Sequence, residues 1–189
     1  KTGTLPPEQR SKNQPVLIET LAVGAAIPDV ALVDQTGKTF HPADYRGQYL
    51  LFTFIYTRCP LPDYCPRMSK HFEAIQRAIA ARPTLKAGVR LLSVSFDPET
   101  DTPAILAAYA KQVGADTAVW RFATAPRGAI EAFGGALGLT VFREGPAGDN
   151  ISHNLRTVLM DRQGTLVKTY SGNEWSPDEV VRDLEALVK

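Results

Sequence analysis

A central mixed β-sheet flanked by helices is the α/β architecture that this sequence predicts, and three features of its order carry the prediction. Strand patterns alternate with amphipathic helical patterns along the body of the chain. Two of the strand patterns, Tyr49–Tyr56 and Val89–Phe96, are nearly continuous apolar runs, as strands covered on both faces are. The last two strands are joined by a tight turn, so the sheet must end antiparallel.

The elements follow in order. Val30–Val33 and Thr39–Phe40 flank Asp34-Gln35-Thr36-Gly37, a turn sequence, and read as an N-terminal hairpin. After the strand at 49–56, Met68, Phe72, Ile75 and Ile79 fall on one stripe of a helix expected from Arg67 to Ala81. The strand at 89–96 is followed by Asp101-Thr102-Pro103, where Thr102 caps a helix and Pro103 takes its first position. That helix is expected to run to Val113 and stop at Gly114. A short strand at Val119–Ala123 precedes a helix from Arg127 to Leu137. Phe142–Ile151, with Gly145-Pro146-Ala147-Gly148 inside it, is expected to be a flexible loop. Leu155–Asp161 and Leu166–Tyr170 pair across Arg162-Gln163-Gly164. Ser176 and Pro177 then open the final helix, expected over Glu179–Val188. The closing hairpin favours a thioredoxin-like sandwich over an all-parallel doubly wound sheet.

A chain of 189 residues suits one domain, typically of about 100–200 residues. Residues 1–15 (KTGTLPPEQRSKNQP) are polar and aperiodic and are expected to be a flexible tail or tether, with the thioredoxin-like domain over 16–189. A net charge of +1 supplies no field to gather nucleic acid or anionic lipid. No apolar run is long enough to span a membrane. The chain starts at Lys1 with neither an initiator Met nor a signal-peptide pattern, as expected of a mature or trimmed form.

Two cysteines are too few for a disulfide scaffold or a four-thiolate zinc site. They lie close together, in Tyr56-Thr57-Arg58-Cys59-Pro60-Leu61-Pro62-Asp63-Tyr64-Cys65-Pro66, between a buried strand and a helix. Active sites of open α/β sheets lie outside the carboxyl ends of strands, so both thiols fall where chemistry is usual. Pro66 suits the first helical position, which makes Cys65 the cap, beside the positive end of the helix dipole. That setting, with Arg58 and Arg67 nearby, favours a thiolate at Cys65. A disulfide closing so short a loop would stabilise the fold by only about 2 kcal/mol. The pair is therefore expected to work, in redox chemistry, metal binding or both.

His153, in Ser152-His153-Asn154, is expected in a loop just before a strand, beside the cysteine loop if the sandwich forms. His41 and His71 serve as comparisons and read as surface residues. Trp175 reads as a packed loop aromatic. Two thiolates and one imidazole form a soft three-ligand set that suits Cu(I) and can also hold Cu(II). Zinc would want a fourth protein ligand, or an open water with a general base.

Three segments together, YTRCPLPDYCP after a buried strand, VSFDPETDTP, and Ser152-His153-Asn154 before a strand, resemble the Sco (SenC/PrrC) family over roughly residues 22–188. The resemblance implies a thioredoxin-like fold and copper held by Cys59, Cys65 and His153. It implies a metallochaperone that delivers copper to the binuclear site of cytochrome c oxidase, or reduces that site's thiols. The implied partners are the copper-bearing oxidase subunit or another copper protein, and a redox partner thiol protein. The implied location is extracytoplasmic, in the periplasm or on the outer membrane face, with a membrane anchor in the precursor. The family usually has three residues between its cysteines, whereas five stand here, one of them the extra Pro62. The alternative is an extracytoplasmic thiol–disulfide oxidoreductase using Cys59 and Cys65. A peroxidase is disfavoured, because Tyr56 and Phe52 stand where peroxiredoxins keep Thr or Ser and Pro. The VSFDPETDTP stretch is accounted for as a strand end and a capped helix.

Overall fold

The computed structural model describes residues 20–145 and 150–188. The tail at 1–15 lies outside the described residues. Seven strands form one mixed sheet in the order β2-β1-β5-β4-β3-β8-β9. They are β1 (Leu32–Asp34), β2 (Thr39–Phe40), β3 (Tyr49–Ile55), β4 (Val89–Ser95), β5 (Trp120–Thr124), β8 (Arg156–Met160) and β9 (Leu166–Ser171). β3, β4 and β5 run parallel at the centre, whereas β1 joins β5 and β8 joins β3 antiparallel. All seven residues of β3 are buried, which is why its sequence shows no alternation.

Among the described residues five helices cover the sheet: α1 (Cys65–Ala80), α2 (Pro83–Gly88), α3 (Pro103–Gln112), α4 (Arg127–Ala136) and α5 (Pro177–Leu187). Phe52 and Phe54 of β3 meet Phe133 of α4 on one face, at ring separations of 5.8 and 5.9 Å. On the other face Trp120 of β5 meets Phe72 of α1, and Phe122 meets Tyr109 of α3. Trp120 places its indole N–H on the Ser93 hydroxyl at 3.0 Å, so the largest core residue carries no unpaired donor. The α1 stripe of Met68, Phe72, Ile75 and Ile79 is buried as its spacing predicts. No helix among the described residues is long and apolar enough to cross a membrane.

The structure corrects the expected loop at 142–151. Strands β6 (Val141–Glu144) and β7 (Asn150–His153) pair antiparallel as a separate two-stranded sheet, with residues 146–149 between them outside the described residues. Val141 and Arg143 are half-buried while Phe142 and Glu144 are exposed. This period of two is masked in the sequence because the apolar Phe142 sits on the outer face. The short helix α2 and a 3₁₀ turn at Pro42–Tyr45 are additions; each begins at a proline, whose fixed φ suits a first helical position.

Candidate metal centre

The cysteine loop leaves the carboxyl end of β3 and returns as the first turn of α1. Two buried carboxylates that follow β4 hold its near end. Asp101 accepts the Thr57 amide at 3.0 Å and the Thr57 hydroxyl at 2.5 Å, and the Ser95 hydroxyl also donates to it. Asp97 accepts the Arg58 Nε–H at 3.0 Å. The five residues between the cysteines fold back, with the Cys59 amide on the Tyr56 carbonyl and the Tyr64 amide on the Leu61 carbonyl. At the far end the Asn173 side-chain Nδ2 donates to the Asp63 backbone carbonyl at 3.0 Å.

This loop and the β6–β7 hairpin bring the three candidate residues together. Cys65 Sγ lies 3.7 Å from His153 Nε2, and the ligand atoms of Cys59, Cys65 and His153 all lie within 4.8 Å of one another. His153 Nδ1 is 2.8 Å from the Asn154 carbonyl. A carbonyl only accepts, so the neutral ring carries its proton on Nδ1 and turns the Nε2 lone pair toward the sulfurs. Tyr56, Tyr64 and Phe96 wall the imidazole, with ring centroids 5.6, 5.8 and 4.9 Å away. The donor set fits a soft ion: two sulfurs and an oriented imidazole nitrogen, with a carbonyl fixing the tautomer.

Residues 22–189 match the SCO1/SenC family model. The chain belongs to that family. Among SCO1/SenC relatives, the SCO1 protein homolog of Bacillus subtilis is 28% identical over 155 residues, covering 81% of this chain and 78% of that protein. The matches to mitochondrial SCO2 homologues of Bos taurus and Mus musculus cover 36% and 38% of those proteins. Bradyrhizobium japonicum ScoI, solved with copper bound, superposes with a TM-score of 0.71 at 25% identity, over 86% of this chain and 99% of that one. BsSco, in which a disulfide switch was identified and which is described as a member of the Sco family of cytochrome c oxidase assembly proteins, superposes with a TM-score of 0.72 at 27% identity, over 86% and 93%.

In this SCO1/SenC chain the two thiols are unequal. The half-buried Cys59 is held down to about 5, chiefly because the Cys65 thiol donates a hydrogen bond to its thiolate. The Leu61 and Cys65 amides help, and burial opposes them. Cys65 is pushed well above the usual thiol range by that same hydrogen bond and by burial. This reverses the expectation of a thiolate at Cys65. Helix α1 begins at Cys65 itself, with Tyr64 as the cap and Pro66 second. The amide at the helix start therefore serves the Cys59 sulfur. Of the two nearby arginines, Arg58 pairs with Asp97 at 3.0 Å and Arg67 with Asp63 at 3.6 Å.

His41 sits at the surface, paired with Asp29 at 2.8 Å. His71 is half-buried: its ring meets Trp175 edge-on at 4.7 Å, and Nδ1 is buried without a partner. The i−4 and i+4 neighbours of a helical histidine do not reveal a loop aromatic closing over one side of it, so the surface reading holds only in part. Trp175 itself is buried against His71 and Tyr170. The reading of VSFDPETDTP as strand end and helix cap is incomplete, because it missed the grip of Asp97 and Asp101 on the cysteine loop. A signal was available: two carboxylates placed within six residues of the end of a strand buried at all but one position need partners nearby.

Proposed function

We propose that this SCO1/SenC protein binds one copper ion through Cys59 Sγ, Cys65 Sγ and His153 Nε2, and passes it to a copper protein during cytochrome c oxidase assembly. The observation that carries the reading is the convergence of three soft donors within 4.8 Å, contributed by segments almost ninety residues apart. The copper-bound structure of ScoI supports the choice of ion. Two thiolates neutralise Cu(I) and leave a net negative site, while the imidazole completes a three-coordinate set. Loading proceeds with Cys59 already ionised; Cys65 yields its proton as the sulfur takes the metal. The location that goes with this role is outside the cytoplasm, with a membrane anchor in the precursor.

An anaerobic titration of the reduced protein with Cu(I) against a competing chelator tests the reading. One tight equivalent is expected, weakened by at least about tenfold in His153→Ala and lost with either Cys→Ala. Unchanged binding in all three variants overturns it.

The inequality of the thiols favours a second reading, thiol–disulfide exchange. The Cys59 thiolate would attack a partner disulfide, form a mixed disulfide and expel one partner thiolate. Cys65, deprotonated as it attacks, would then displace the second, leaving the Cys59–Cys65 disulfide and a partner reduced by two electrons. The disulfide switch of BsSco supports this chemistry. His153→Ala separates the two readings, since it removes a copper ligand but leaves in place both thiols that exchange requires.

A further inference from the structure

The structure assigns Arg143 and Asp97 a positioning role: together they form a strut that sets the imidazole of His153 against the cysteine pair. The β6–β7 hairpin that carries His153 shares no ladder with the seven-stranded sheet, so its place depends on other contacts. Arg143 stands two residues along from Val141, which pairs directly with His153 across the hairpin. Its side chain turns inward, and Nη1 reaches Asp97 Oδ1 at 3.2 Å while Nη2 donates to the Phe96 carbonyl. The other oxygen of Asp97 holds Arg58, the neighbour of Cys59. One buried carboxylate thus ties the segment bearing the imidazole to the segment bearing the first sulfur.

The strut has little freedom. Asp97 is 2% exposed and Arg143 12% exposed at their side chains. The Asp97 amide donates to the Ser95 hydroxyl, and its carbonyl accepts the amides of Thr100 and Asp101, so its backbone is pinned in a turn. Arg143 Nε is buried with no hydrogen-bond partner. An arginine placed only for stability would not leave a buried donor unmet, whereas one whose fork is aimed at two fixed acceptors must accept that loss. The planar fork also holds an orientation that the single ammonium of lysine cannot.

The test uses Arg143→Met and Arg143→Lys in the full chain, each alone and combined with His153→Ala. The ring signals of His153 in the metal-free protein should shift in R143M and return part-way in R143K, while far-ultraviolet dichroism stays that of the parent protein. Cu(I) affinity should fall roughly 10–100-fold in R143M, and R143M should add nothing once His153 is gone. Asp97→Asn, which keeps the volume and loosens both arms, should also move the His153 ring signals. Unmoved ring signals in R143M, or an equal loss of affinity with and without His153, overturns the strut. The affinity arm rests on the copper reading and the ring signals do not. Shifted ring signals with copper binding indifferent to His153 would sink that reading and leave the strut standing.

Discussion

Cys59 and Cys65 carry one functional group in two environments, and the difference sets how the site responds to acid. Cys59 loses its proton at about 5 because Cys65 donates to it, and Cys65 keeps its own because it is buried and already bonded. Between about pH 7 and 8 copper should therefore displace one proton, that of Cys65, and the apparent affinity should rise about tenfold per unit. Below about pH 5 Cys59 is protonated as well, and the dependence should steepen. A chelator competition repeated across pH checks this; a slope near two throughout would mean that both thiols are protonated at neutrality. Both cysteines and His153 are legible in the sequence as a donor set, because thiols and imidazoles are scarce and their chemistry is specific. Which thiol ionises is not legible, since it turns chiefly on a hydrogen bond from one thiol to the other, and on a helix that begins at Cys65 where Pro66 was expected to be first. Asp97, Asp101 and Arg143 were missed for a related reason. Charged residues are common, and theirs reach the site through partners 39 to 46 positions away.

At the scale of elements, strands buried on both faces and helices with one apolar stripe announced themselves, whereas the β6–β7 hairpin did not. Its strands are four residues each, too short for alternation to stand out when one outward residue is Phe142. Helix α4 shows how tightly the elements that were anticipated close on one another. A Cβ built on Gly134 would lie 2.7 Å from Leu139 Cδ2 and 3.2 Å from Leu139 Cβ, just past the turn that ends the helix. Gly134→Ala should then cost about 1–3 kcal/mol despite the higher helix propensity of alanine. Urea unfolding measures it, and a neutral or stabilising result would mean that Leu139 yields freely. Gly138, at φ +82°, makes that turn possible, since a left-handed residue with a side chain would be strained.

The molecule as a whole joins a rigid frame to a small appended ribbon. The sulfurs ride on the frame, between the fully buried strand β3 and the core stripe of α1. The imidazole rides on the ribbon, which is fastened to the frame through side chains such as Arg143 on Asp97 and on the Phe96 carbonyl. Attachments of this kind open at lower free energy than a central ladder does. On gentle warming of copper-loaded protein, the ribbon should peel away before the middle of the sheet melts. A colorimetric chelator should then capture the ion several degrees below the loss of far-ultraviolet dichroism, and coincident transitions would contradict this. Under the proposed copper reading, such a build releases the ion while the shape of the frame is kept.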